Sequence, residues 1–467
     1  MSVKKLRRLP LAAAAMVACL SAQAEYQSPD GNFRLSGFGT LGAVHTSTND
    51  VEFNYPGQGG GAGTTPNLSP DSKLAVQGSY KFSPTFSATA QVMTRYDAES
   101  QYVPSVDWLF AKWQALPSLT FRGGRLVSPN FMISDFRNVG FANTTVRPPL
   151  DVYGQVPVDQ LEGGDVTYQH VLGSTTINAT FFAGDANAEY TSAFRKGALA
   201  IGPSSFSLKK TKGINLTAEM DNGLTLRAGY SRSKLSITSD SVDRLLLSGG
   251  CLSAITAGSD PCSAVAAYLP QAGISGGLAA VLRDMGAQVT AATNGALAVK
   301  DGNVSFTGFG FTFDQDNWIV SGEYTKRRSD NFVPDTTGWY GLVGYRVAKF
   351  TPYAGLSRLT VNSANVSFTP VTPLAVNALT TGVAASANSG LQGYLDVEKT
   401  AQRTITVGSR WDVMSNLALK VQWDQVHKPA DSWGLFFTKD PSTAQAQSFL
   451  NSRRKVNILT VSMDFVF

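Results

Sequence analysis

The stretch whose reading decides the fold is Val456-Asn457-Ile458-Leu459-Thr460-Val461-Ser462-Met463-Asp464-Phe465-Val466-Phe467. Read with a period of two, Leu459, Val461, Met463, Phe465 and Phe467 share one face, and Thr460, Ser462 and Asp464 share the other. Soluble sheets alternate in the same way. The pattern decides the fold only if the rest of the chain carries it and the chain is exported.

Export is written at the other end. Lys4, Lys5, Arg7 and Arg8 precede a short apolar run, Leu9 to Leu20, and Ala22-Gln23-Ala24 has the small-x-small shape of a cleavage site. Residues 1–24 therefore read as a cleaved signal peptide, with the mature chain as 25–467. The run is too short to span a bilayer as a helix. Met16-Val17-Ala18 before Cys19 fit a lipidation signal poorly. Four of the 39 basic residues lie in the signal, leaving 35 against 34 acidic ones, a net charge of +1. The basic pI thus gives no support to nucleic-acid binding.

After the signal no apolar run is long enough for a membrane helix. A chain without such helices enters lipid only as a closed barrel, because every backbone N–H and C=O must find a partner. Sixteen segments alternate: Phe33–Val44, Lys73–Phe82, Phe86–Tyr96, Val106–Ala115, Leu119–Val127, Gly164–Leu172, Thr175–Gly184, Phe206–Met220, Leu224–Ile237, Val304–Phe313, Trp318–Arg328, Trp339–Val347, Phe350–Val361, Arg403–Asp412, Leu417–His427 and Val456–Phe467. The parity of Val106–Ala115 and Val304–Phe313 is ambiguous, with Gly308 a candidate bulge. Short turns such as Ser83-Pro84-Thr85, Gly173-Ser174 and Asp221-Asn222-Gly223 alternate without exception with long connections. An all-β, transmembrane, antiparallel barrel of about 16 strands, with short inner turns and long outer loops, requires that order. Aromatic residues gather near strand ends, as two interfacial girdles would demand.

Alternation also assigns the lumen. It turns Arg34, Arg95, Arg122, Arg227, Arg327, Arg346 and Lys420 inward, together with Asp165, Glu219, Glu323, Asp424 and Asp464, since charge in lipid is costly. The connection 128–163 mixes apolar and aromatic residues with Asp135, Arg137, Arg147 and Asp151. A loop in open solvent has no use for that composition, whereas one folded into the lumen does. The expectation is a constriction with Asp135, Arg137, Arg147 and Asp151 on the loop and Arg95 and Arg122 opposite, where a transverse field selects small polar solutes. The plainer reading is that these charges form salt bridges that hold the loop.

Sixteen strands, a terminal Phe467 and a long pore-folded third loop resemble the general-diffusion porins of Gram-negative outer membranes. Arg122-Gly123-Gly124-Arg125 and Arg147-Pro148-Pro149 resemble a porin-like branch of that fold. The resemblance implies a homotrimer, multi-pass residence in the cell outer membrane beside lipopolysaccharide, and Phe465 and Phe467 as the signal read by the assembly machinery. It also implies arginines on the wall facing acids on the loop. Here the loop carries both signs, so a cation preference does not transfer.

Other features are minor. Cys251 and Cys262 are close in an exported chain and read either as a disulfide or as two reduced thiols in a loop. Residues 238–303, with helical composition in Ala264–Leu269 and Gly277–Met285, form a long extracellular insertion that either caps the mouth or lies as a surface loop. The glycine-rich 55–67 lacks the Lys-Ser/Thr of a phosphate cradle. His45, His170 and His427 are scattered, so no metal motif, cofactor site or catalytic residue is expected. The function expected is passive diffusion of small hydrophilic solutes with a weak anion preference. The alternatives are a specific channel for phosphate, sulfate or carboxylates, or a non-conducting barrel used as an adhesin or scaffold. Small residues Gly37, Gly39 and Ala43 are candidates for packing between protomers.

Overall fold

A computed structural model describes residues 25–156, 158–191, 204–253, 276–363, 366–396, 398–441 and 443–467. The signal segment 1–24, Cys262 and Ala264–Leu269 lie outside them. Sixteen long strands follow one another: β1 Phe33–Thr46, β2 Lys73–Lys81, β3 Phe86–Arg95, β4 Ser105–Leu116, β5 Leu119–Val127, β6 Gln160–Leu172, β7 Thr175–Tyr190 and β8 Ser204–Met220, then β9 Leu224–Thr238, β10 Val299–Gln315, β11 Trp318–Ser329, β12 Asp335–Tyr345, β13 Phe350–Ser363, β14 Gln402–Met414, β15 Leu417–Lys428 and β16 Arg454–Val466. Each pairs antiparallel with the next. β16 returns to β1, from Ile458 opposite Thr46 to Val466 opposite Phe38, so the sheet closes and leaves no edge.

The faces are inverted relative to a soluble protein. Leu109, Trp113, Phe181, Phe309, Val421 and Val461 are exposed on the outside, while Thr40, Thr460, Ser462 and Asp464 are buried within. Such an outer surface is stable only against lipid. Rings cluster at the short-turn ends: Tyr80 with Phe82 at 4.9 Å, Trp318 with Tyr345 at 4.8 Å and Phe350 with Trp411 at 5.7 Å. They form the inner girdle.

The two ambiguous strands resolve by pairing. Leu109 and Trp113 face out and Lys112, opposite Arg122, faces in. Phe309 and Phe311 face out, so Gly308 and Gly310 face in. Gly308 sits in unbroken register opposite Gly229 and is not a bulge. Its reason is the lumenal loop, which passes so close that a Cβ on Gly308 or Gly310 would touch Asn130 or Met132.

Gly37 and Gly39, expected as a packing strip for a neighbouring protomer, are already covered. The rings of Phe467 and Phe465 lie across them, inside the space a side chain would need.

The outer connections carry helices: α1 Leu150–Tyr153 in the lumenal loop, α2 Asp240–Ser253 and α3 Gly276–Ala296 in the long insertion, α4 Ala378–Asp396 in the connection after β13, and α5 Ala444–Asn451 before β16. Leu282, Met285 and Val289 of α3 pack with Val242 and Leu252 of α2 and Ala384 and Leu391 of α4. Tyr394 and Leu395 then join Leu235, Val299 and Phe332, which seats the helices on the rim of β9–β11. The helical composition of Gly277–Met285 is thus part of α3, whereas α4 was read only as a long connection. Cys251 is buried on α2 and disulfide-bonded.

Candidate functional site: the loop inside the barrel

The connection from β5 to β6 turns into the lumen, and the wall holds it along its whole length. Its first arm is caught by β8, β9 and β11. Asn215 and Arg227 donate to the Pro129 carbonyl at 2.9 and 2.5 Å, and the Met132 N–H donates to Glu323 at 2.8 Å. Its middle is held by β14 and β15. Arg410 donates to the carbonyls of Phe141 and Asn143, and Lys420 to those of Gly140 and Thr145 at 2.7 and 3.0 Å. Gly140 is what allows this approach, because a Cβ there would collide with Asp464 and Thr40 of the wall. The last arm is held by β11–β13. Tyr153 donates to Glu323 at 2.8 Å, Gln155 to Thr325 at 2.6 Å, and Arg327 to the Gln155 carbonyl at 2.6 Å. Phe131 stacks on Tyr153 at 4.5 Å, edge-on to Phe306 at 5.1 Å, which fills the space between loop and wall.

Four of the residues assigned to the pore serve this attachment instead of lining a passage. Arg147, only 4 % exposed, donates to Asp71 at 2.6 Å, Asp424 at 3.1 Å and Thr460 at 2.6 Å, with Phe53 4.7 Å from its guanidinium carbon. The physical reason is local: Pro148 and Pro149 carry the chain straight into the packed helix α1, leaving Arg147 beneath the loop. Asp151, in α1, accepts from Ser357 at 2.8 Å and Thr404 at 2.9 Å. Lys420 is buried against Asp464 at 3.0 Å, and Arg227 holds the first arm as described. Arg147 and Asp151, expected at the constriction, lie beneath the loop, and Arg227 and Lys420, expected on the lumenal face, point inward but are taken up by the loop. A fifth, Arg346, is half-buried at the short-turn end and paired with Asp314 at 2.7 Å, away from the loop. The salt-bridge reading of the loop charges therefore holds for Arg147.

The other half of the lumen is different. Opposite the strapped face, the loop and strands β2–β7 enclose a cavity of about 560 Å³ whose charged border is Lys73, Arg95 and Arg137 with Asp71, Asp97, Asp159 and Glu189. Asp159 is shared: Arg95 bonds it at 2.7 Å, and Arg137, arriving from the loop, pairs with its other oxygen. Lys73 stands 5.8 Å from the Tyr55 ring centre. Further along the wall, Arg122 is bound by Asp165 at 2.5 Å, and Asp135 is exposed on the loop, close enough to act electrostatically on Arg122 and Arg227.

Of the residues expected in the pore, Arg95 and Arg137 border this cavity, whereas Arg122 and Asp135 do not line it. Sequence reasoning did not single out Lys73, Asp97 or Asp159. Lys73 is the first residue of its strand, where alternation has not yet begun, and Asp159 stands next to the alternating stretch that β6 opens.

Asp151 is electrostatically unlike its neighbours. Burial pushes its carboxyl up to about 6, against the opposing hydrogen bonds from Ser357 and Thr404. Its Oδ1 finds no hydrogen-bond partner among the described residues. Phe465 and Phe467, the expected assembly signal, stack on each other at 6.3 Å on the outer face. No group of three or more His, Cys, Asp or Glu suited to a metal occurs among the described residues.

No family model matches the chain, and no curated protein sequence matches it. Solved barrels overlap it in outline. OmpF of Salmonella typhi, in a complex with daunomycin, is 10 % identical, covers 95 % of this chain and 100 % of its own, and gives a TM-score of 0.49. The outer membrane channel DcaP of Acinetobacter baumannii is 8 % identical, with coverage of 95 % and 100 % and a TM-score of 0.48. An anion-selective porin from Comamonas acidovorans is 10 % identical, with coverage of 93 % and 99 % and a TM-score of 0.48. At those scores the likeness carries no weight for what this chain does.

Proposed function

We propose that the protein is an outer-membrane channel for passive diffusion of small hydrophilic solutes. The observation that carries this reading is the division of the lumen. The loop is fastened to β8–β16, and on its free side a polar space is bordered by Lys73, Arg95 and Arg137 together with Asp71, Asp97, Asp159 and Glu189. Fixed charges around a narrow aqueous path bias ions by sign and do so without a conformational cycle. Reconstitution of the folded protein into planar bilayers tests it. The expected result is discrete conductance steps. Folded protein that never conducts would end the reading.

A second reading, a channel selective for phosphate, sulfate or a carboxylate, is favoured by the Arg95–Asp159–Arg137 arrangement, since two guanidinium groups suit a bidentate oxyanion. Saturable transport and current block by one such anion distinguish it. A non-conducting scaffold requires the α2–α4 helices to seal the mouth. Replacing residues 240–296 by a short turn would then create a conductance that the intact protein lacks.

A further inference from the structure

On the outer surface, four strands place basic side chains side by side. Arg358 of β13 lies opposite Arg403 of β14, Arg403 opposite His427 of β15, and His427 opposite Lys455 of β16. Their parity is that of exposed Leu356, Val407, Val421 and Leu459, so they face away from the lumen. Arg453 and Arg454 join them around a groove of about 580 Å³ that no carboxylate lines. Like charges directly opposite in a sheet repel. On other parts of this face Arg125 pairs with Glu162 at 2.5 Å and Lys209 with Asp185 at 3.2 Å. Among the described residues, Arg358, Arg403, Arg453 and Lys455 have none.

The height of the row identifies its partner. Along β13 the outward positions run from Phe350 in the inner girdle through Pro352, Ala354 and Leu356 to Arg358. Eight residues of strand tilted at about 40° rise about 20 Å, close to the roughly 25 Å of the apolar band. The cations thus stand where acyl chains give way to headgroups on the long-loop side, and a basic cluster there attracts anionic lipid.

We propose that this groove on β13–β16 binds the phosphate groups of an outer-leaflet glycolipid, which supply the counter-charge the sheet lacks. The site rests on the barrel residing in an outer membrane, yet it is independent of conduction because none of its residues faces the lumen. The test uses the folded full-length protein in detergent with lipid A as the probe, read by native mass spectrometry, beside the triple variant Arg358→Gln, Arg403→Gln, Lys455→Gln. The proposal expects bound lipid A on the wild type, at least about a tenfold weaker retention by the triple variant, and no retention of dephosphorylated lipid A by either. Arg125→Gln, on the far side, should bind as the wild type does. Equal retention by the triple variant, equal binding of the dephosphorylated lipid, or displacement by millimolar inorganic phosphate would each overturn it. So would an oligomer of the wild type that the triple variant dissolves while neither binds lipid A, since a second copy would then cover the face. Conductance of the triple variant should equal that of the wild type, so loss of lipid binding is separable from failure of the channel reading.

Discussion

The aromatic ring of Phe467 occupies the space that a side chain on Gly37 would fill, and the two residues exchange backbone hydrogen bonds of 2.7 and 3.0 Å. Phe465 does the same over Gly39, whose Cα faces it across the seam between the last and first strands. The ring of strands is locked where its ends meet, by two large residues lying on two absent ones. Replacing Gly39 with Leu should therefore block closure. The expected outcome is loss of most of the heat-modifiable folded band on electrophoresis, whereas the same change at exposed Gly173 position would test only its positive backbone angle.

Arg147 is the strongest fastening of the lumenal loop. Arg147→Met leaves Asp71 and Asp424 buried without a cation, a loss of roughly 3–5 kcal/mol. A lowered thermal midpoint in detergent and noisier single-channel current are expected. An unchanged midpoint would mean that the strap contributes nothing.

Arg95 and Arg137 differ from Arg147 because they border open space. Arg95→Gln and Arg137→Gln should shift the reversal potential toward cations while leaving the thermal midpoint nearly as it was, since Asp159 retains one partner in each. Selectivity that follows Arg147 instead would misplace the passage.

Asp151 makes the loop sensitive to pH. Its folded pKa of about 6 lies above the usual carboxylate value of about 4, so the folded chain binds this proton more tightly than the unfolded one. The stability it contributes is full below about pH 4 and is lost as pH rises through about 6. That amounts to an upper bound of roughly 3 kcal/mol at neutral pH. Asp151→Asn should flatten this dependence, seen as thermal midpoints measured between pH 4 and 8 that no longer fall with rising pH.

Strand number, order and most lumenal assignments were legible because a bilayer enforces alternation at every spanning residue. The reading weakened where that constraint ends. Strand β7 runs on to Tyr190 and β10 starts at Val299, several residues beyond their alternating parts, because above the lipid both faces meet water or protein. Helix α4 escaped notice because its apolar face is completed by α3, a contact far apart in sequence. Depth within the lumen was not legible at all: Arg137 and Arg147 belong to one loop and share a charge, yet one borders a cavity and the other lies beneath the chain.

Apart from Asp71 and Arg95, the anchors of residues 128–159 sit on segments translated much later, from Asn215 to Thr460. The loop cannot reach its final seat until the whole cylinder exists, so a half-built barrel is wider than a finished one. Narrowing of the duct is the closing act of assembly, and it coincides with the joining of the two chain ends.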